Sequence, residues 1–292
     1  MSSPDQRLTR RQMLKGSGMA LAALGLIGTG GIGQIGVLRD AQASAKEAVM
    51  SEGKGSNKPT IVFIHGAFAD SSGWNGIVNT LFALGYPVVA PSNPLRSVKS
   101  DVDYTVSTLK SIKGPIVLVG HSYGGMVITG AAVGNKQVKS LVFIAGYAPE
   151  PGESAADLSG KFPGGTLGPT LAPPVPLSDG TNDLYIQQDK YHAQFCADLP
   201  EQQAAFMAAT QRPATDLALN EKATGASAWK SIPSWFVWGE LDKNIPAAAH
   251  RFMAERANAR EGIEVKGASH VVFMSYADTV AGLILRAAKH AT

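Results

Sequence analysis

Pro115-Ile116-Val117-Leu118-Val119-Gly120-His121-Ser122-Tyr123-Gly124-Gly125 is an apolar run that stops at a glycine, passes through a serine and leaves on two more glycines. The run over 115–119 has the length and β-branched character of a strand buried on both faces of a parallel sheet. A helix beginning near Tyr123 follows it. Residues 120–124 fit the pattern G-x-S-x-G, whose chemistry requires this strand–turn–helix setting. The sharp turn strains the serine backbone, and glycine two residues to either side avoids the clash a side chain would make there. The turn exposes the Ser122 hydroxyl at the top of the sheet. The amide of Tyr123, at the positive end of the new helix, is placed to face a developing oxyanion.

Outward from this turn the chain alternates between two periodicities. Apolar, β-branched runs recur at 60–64, 87–90, 116–119, 140–145, 235–238 and 263–265, and segments with helical spacing fill 74–84, 102–112, 123–133, 247–257 and 276–289. Strand and helix in alternation predict a doubly wound, mostly parallel α/β sheet with right-handed crossovers and helices on both faces. The rhythm breaks at residues 149–231, which open with Pro163-Gly164-Gly165 and Pro173-Pro174-Val175-Pro176 and continue with helical pieces near 189–197 and 200–210. This interval reads as a helical cap inserted into a core of 59–148 and 232–292, folded over the carboxyl ends of the strands. The rings of Tyr185, Tyr191, Phe195 and Phe206 seek burial and argue against a mobile linker.

A serine hydroxyl needs a base to take its proton. Of the six histidines, His121 is inside the turn, His65 belongs to the loop after the first strand and His290 is at the tail, while His192 and His250 sit in predicted helices as packed or solvated side chains. His270, in Gly267-Ala268-Ser269-His270, follows the last apolar run and is the candidate base. The order serine, acid, histidine then points to an acid at the end of the fifth strand, in Trp238-Gly239-Glu240-Leu241-Asp242. Asp242 is the candidate, with Glu240 and Glu150 as rivals; its role is to hold the imidazole tautomer and stabilise the imidazolium. His65-Gly66-Ala67-Phe68 sits where a second oxyanion donor is needed, and that donor is assigned to the backbone N–H of Ala67. Phe68, Trp74, Phe195 and Phe206 are candidates to line an apolar substrate pocket, with core packing as the alternative.

These segments, together with Tyr123-Gly124-Gly125 and the stretch from Trp238 to Pro246, resemble the small α/β-hydrolase-fold esterases related to plant methylesterases and hydroxynitrile lyases. The resemblance covers residues 59–292, and the cap stretch 183–213, which includes FCADLPEQQAAFMAATQRP from Phe195, resembles bacterial members. It implies a six-stranded parallel sheet without the two N-terminal strands of larger relatives, and no cofactor. It maps the nucleophile onto Ser122, the acid onto Asp242, the base onto His270 and the oxyanion amides onto Ala67 and Tyr123. The implied activity is cleavage of a small-molecule ester through an acyl-enzyme. Lactone opening, peroxyacid formation and C–C hydrolysis use the same residues, and a non-catalytic small-ligand binder is the other class of reading. Hydroxynitrile lyases place a lysine beside the histidine; this chain has Val271, which speaks against lyase chemistry.

Composition bounds the rest. With 45% hydrophobic and 17% charged residues the chain can bury a large core. Its formal charge of +3 comes from the first 43 residues; the remainder has 21 basic and 21 acidic residues, which gives nucleic acid no electrostatic footing. Cys196 is the single cysteine, so no intrachain disulfide can form and no thiolate cluster exists to hold zinc.

Thr9-Arg10-Arg11-Gln12-Met13-Leu14-Lys15 resembles the bacterial twin-arginine export signal. An uncharged stretch over 16–38 follows, and Ala41-Gln42-Ala43 predicts cleavage before Ser44. Residues 1–43 are thus read as a signal peptide recognised by the twin-arginine export machinery, and 44–58 as a tether. The mature protein is expected in the periplasm or medium, without stable membrane association. An uncleaved anchor is the alternative, and the eight glycines of 16–38 make it a poor one.

Overall fold

The computed structural model describes residues 58–292; the stretch 1–43 that reads as an export signal, and the stretch that reads as a tether up to residue 57, lie outside the described residues. From the N-terminal side the chain runs through β1 (Thr60–Ile64), α1 (Asn75–Ala83), β2 (Val88–Val89), α2 (Val98–Lys110), β3 (Ile116–His121), α3 (Gly124–Ala131) and β4 (Val138–Ile144). The insertion holds α4 (Ala155–Gly160), β5 (Val175–Pro176), β6 (Asn182–Leu184), α5 (Gln188–Phe195), α6 (Glu201–Thr210), β7 (Ala214–Thr215) and α7 (Asp216–Asn220). The core resumes with β8 (Ser234–Gly239), α8 (Ala247–Arg256), β9 (Glu261–Val265), α9 (Val272–Ser275) and α10 (Ala277–His290).

Six strands form one parallel sheet in the order β2-β1-β3-β4-β8-β9. Every residue of β1, β3 and β8 is buried, which is why these strands are continuous apolar runs rather than alternating ones. The edge strand β9 is only partly buried, and its Glu261 and Glu264, of opposite parity along the strand, pair with Arg286 of α10 and Arg251 of α8. α1 packs on α10 and α2 on α3, so the sheet is covered on both faces. The strand order reverses between β1 and β3, and Ser122 follows β3 at that carboxyl end, where open α/β sheets bind ligands.

The insertion is not wholly helical. β5, β6 and β7 make a small antiparallel sheet. It is held from outside by the Arg96–Asp183 ion pair at 2.7 Å and by Asp216, which accepts from the backbone and side chain of Asn182. Among the described residues no helix is long and apolar enough to cross a membrane.

Candidate active site

Ser122 has φ of +52°, a conformation that costs a non-glycine residue energy and must be imposed by its surroundings. Those surroundings are hydrogen bonds. The Ser122 N–H donates to the carbonyls of Ile144 and Ala145, while its own carbonyl accepts from Gly125 and Tyr147. The neighbouring glycines are steric requirements. A Cβ on Gly120 would stand 2.7 Å from the Gly124 carbonyl oxygen, and one on Gly124 would stand 2.2 Å from the carbonyl oxygen of Ile64. The Tyr123 ring anchors the turn to α2 by donating its hydroxyl to Asp101 Oδ2 at 3.0 Å.

The loop after β1 lies against this turn. A Cβ on Gly66 would stand 2.6 Å from Ser122 Cβ and 3.2 Å from its Oγ. The loop is stitched by His65, whose Nδ1–H donates to the Gly66 carbonyl while Nε2 accepts from the Asn93 amide, each at 2.9 Å. Burial lowers the His65 pKa to about 4, so the ring is neutral and able to play both parts. Neither the Ala67 nor the Tyr123 amide donates to another protein group among the described residues, and both residues are buried. Two unclaimed N–H groups, one on the loop and one on the turn that meet at the Ser122 side chain, are the makings of an oxyanion site.

Asp242 and His270 meet: Nδ1 of His270 donates to Asp242 Oδ2 at 2.7 Å. Since a carboxylate only accepts, this fixes the proton on Nδ1 and leaves Nε2 with a lone pair. That Nε2 is buried and has no protein partner among the described residues. The His270 loop is tied to the serine turn by His121, whose Nε2 bonds the His270 carbonyl at 3.1 Å with ring centroids 4.8 Å apart. Burial, then repulsion from His270, keeps His121 well below its ordinary pKa. Burial works to raise the Asp242 pKa, but the charge of His270 and hydrogen bonds from His250 and His270 outweigh it and hold the carboxylate ionised well below the usual range.

The rival carboxylates are engaged elsewhere. Glu240 accepts from the Gly267 amide, and Glu150 pairs with Lys230. Sequence reasoning misses three groups. His250, which its helical setting marks only as a packed or solvated side chain, sits 3.1 Å from Asp242 Oδ2. Asp101 anchors Tyr123. Asp198 accepts from the Ser269 amide and the Ser275 hydroxyl on either side of His270. Of these, His250 carries a signal: it lies on the buried stripe of α8 with Ala249, Met253 and Ala254, where a polar ring needs a polar partner.

The four aromatic candidates separate. Phe68 and Phe206 line a cavity of about 190 Å³ together with Tyr191, Met207, Phe273 and Met274. Phe206, 66% exposed, stands at its rim. Phe195 packs edge-on against His270, 5.1 Å between centroids, as a roof over that ring. Trp74 is not a pocket residue but core: it closes the turn 71–74 before α1 and is fully buried between Phe63 of β1 and Phe273. Cys196 is buried, with its thiol pushed up to about 12 by burial and then by Asp198. Among the described residues no group of three His, Cys, Asp or Glu converges as metal ligands.

A model of the alpha/beta hydrolase family matches residues 61–283. The α-hydroxynitrile lyase of Arabidopsis thaliana is 25% identical over 240 residues, covering 75% of this chain and 92% of that protein. Salicylic acid-binding protein 2 of Nicotiana tabacum is 24% identical over 253 residues, covering 77% and 93%. The crystal structure of polyneuridine aldehyde esterase superposes with a TM-score of 0.67 at 18% identity, over 78% of this chain and 98% of that one. The relatives are those the motifs resemble.

Proposed function

This chain belongs to the alpha/beta hydrolase family, and from that premise we propose that it is an esterase that cleaves a small carboxylic ester through an acyl-enzyme on Ser122. The observation that carries this reading is the 2.7 Å bond from His270 to Asp242, which leaves Nε2 unpaired beside a turn that presents a strained serine.

In the proposed cycle Ser122 Oγ attacks the ester carbonyl carbon as its proton passes to His270 Nε2, and Asp242 stabilises the imidazolium. The carbonyl oxygen, now an oxyanion, takes the amides of Ala67 and Tyr123; a donor of this kind is worth on the order of 3–4 kcal/mol in the transition state. His270 returns the proton to the leaving alcohol. A water then attacks the acyl-enzyme by the same route, releasing the acid and restoring Ser122. The cavity lined by Phe68 and Phe273 is not lined by Ser122 or His270 themselves but begins at the residue after Ala67, and its aromatic and methionine side chains suit the larger hydrocarbon part of the ester. Val271 is buried and has no proton to give, which favours hydrolysis over the lyase chemistry of the Arabidopsis relative.

The test is Ser122→Ala with p-nitrophenyl acetate as substrate. Turnover is expected to fall by roughly 10⁴-fold or more, with the thermal midpoint unchanged. Retained turnover in a folded variant refutes the assignment.

A further inference from the structure

Asp242 carries four hydrogen bonds from protein donors, and only one of the two from side chains, that of His270, takes part in the cycle above. Oδ1 accepts from the amides of Asn244 and Ile245, which come from the turn that follows it. Oδ2 accepts from His270 at 2.7 Å and also from Nε2 of His250 at 3.1 Å. His250 arrives from the first turn of α8, is 1% exposed, and lies parallel to the Trp238 ring with centroids 5.9 Å apart. Because a carboxylate offers no proton, Nε2 of His250 must be the protonated nitrogen. Burial, against the pull of the Asp242 bond, lowers the His250 pKa, so the ring donates as a neutral imidazole. It cannot serve as the base itself, since its Nε2 is spent on the acid.

We propose that His250 is a positioning residue for this site: by sharing Oδ2 with His270 it locks the plane of the Asp242 carboxylate and tempers how strongly that oxygen charges the His270 ring. The inference rests on the Ser122, Asp242 and His270 reading. A second donor on one oxygen draws off charge density that would otherwise stabilise the imidazolium, while removing the freedom of the carboxylate to rotate away from His270. Orientation is gained and basicity moderated. The other titratable groups facing this cluster are His121 from the serine turn, His65 from the loop after β1, Tyr147 after β4, whose buried hydroxyl bonds Ser159 Oγ, Asp198 at the His270 loop, and Glu264, which is held by Arg251 and Trp238 Nε1. All of them remain in place when His250 alone is changed.

The experiment compares His250→Phe, which keeps a buried ring without a donor, with His250→Gln, which keeps an N–H donor. Rates on p-nitrophenyl acetate are measured from pH 5 to 8.5. In His250→Phe the acid limb of kcat/KM is expected to move up by roughly half to one pH unit and kcat to fall about 10-fold, with KM within about twofold. His250→Gln is expected to return the limb towards its original position and to recover most of kcat. An unmoved limb in folded His250→Phe, or a Gln variant no better than Phe, overturns the proposal. A second measurement needs no variant to fold: ¹⁵N spectra of the histidine-labelled full chain are expected to show His250 neutral and protonated at Nε2 from pH 6 to 8. The opposite tautomer overturns the proposal outright. Ser122→Ala, measured alongside, separates the two readings: surviving turnover there overturns both, whereas its loss with a flat His250 response overturns only this one.

Discussion

Gly66 shows how little room one residue has at this site. Its hydrogen stands where a methyl would be 2.6 Å from Ser122 Cβ and 2.9 Å from the His121 carbonyl oxygen, and neither neighbour can yield. Both belong to a turn already strained at φ +52°. Gly66→Ala must therefore push the loop that carries Ala67 away from the serine. A displacement near 1 Å at a reacting centre costs on the order of 10² in rate. We expect kcat on p-nitrophenyl acetate to fall about 100-fold or more, and stability by only about 1–3 kcal/mol in a urea titration. A kcat within threefold of the unsubstituted protein contradicts the assignment of Ala67. Gly120, Ser122 and Gly124 are legible in the amino-acid sequence because the turn constrains residue type at fixed spacing, and Gly66 because its loop directly follows the first apolar run. His250 and Asp101 are not, because each acts on a partner brought near only by the packing of its helix against the sheet.

At the scale of elements, strands buried on both faces announce themselves in the sequence and the cap does not. β1 and β3 are runs of apolar residues whose partners are other such runs. β5, β6 and β7 are two or three residues long, include Pro176 and Asp183, and exist because Arg96 and Asp216 hold them. Nothing periodic survives in so short a strand. α2 likewise begins at Val98, ahead of the 102 that its apolar spacing suggests, because Ser97 caps it through its side chain and the first turn is polar. The cap does more than roof the site. Tyr191 of α5 donates to the Phe68 carbonyl at 2.7 Å, and Asp198, between α5 and α6, grips the His270 loop through Ser269 and Ser275 at 3.0 and 2.6 Å. Asp198→Ala removes Oδ2, the one oxygen that accepts both bonds, and leaves two donors unpaired, costing roughly 2–4 kcal/mol. We expect kcat to drop about 10-fold with little change in KM and the thermal midpoint to fall by several degrees. Asp198→Asn, which keeps one accepting oxygen, should lose far less in both. Equal losses in the two variants would mean that the carboxylate position does not hold the loop.

The whole molecule keeps three histidines neutral in its interior, and that sets its behaviour in acid. His65, His121 and His250 are each 1% exposed or less, and burial depresses the pKa of each, that of His65 to about 4. In the unfolded chain these rings titrate near 6.5. Between those values the unfolded state binds protons that the folded state refuses, so stability is highest above about pH 6.5 and declines as the pH falls. For His65 alone the decline amounts to roughly 3 kcal/mol by pH 4, a sizeable part of the margin of a typical domain. Asp242 acts in the same direction lower down: its pKa is depressed in the fold, so its contribution is present above the unfolded value near 3.9 and is lost only below it. Urea midpoints measured from pH 7.5 to 4.5 are therefore expected to fall continuously from about pH 6.5, ahead of the titration of any carboxylate in the normal range. His65→Gln should be less stable than the parent at pH 7, where the imidazole's two hydrogen bonds are lost or weakened, yet show a shallower decline because one proton fewer is taken up on unfolding. If the slope between pH 6.5 and 4.5 is the same in both proteins, the ring at position 65 is not held neutral by the fold, and the loop it stitches beside Ser122 is not organised as described.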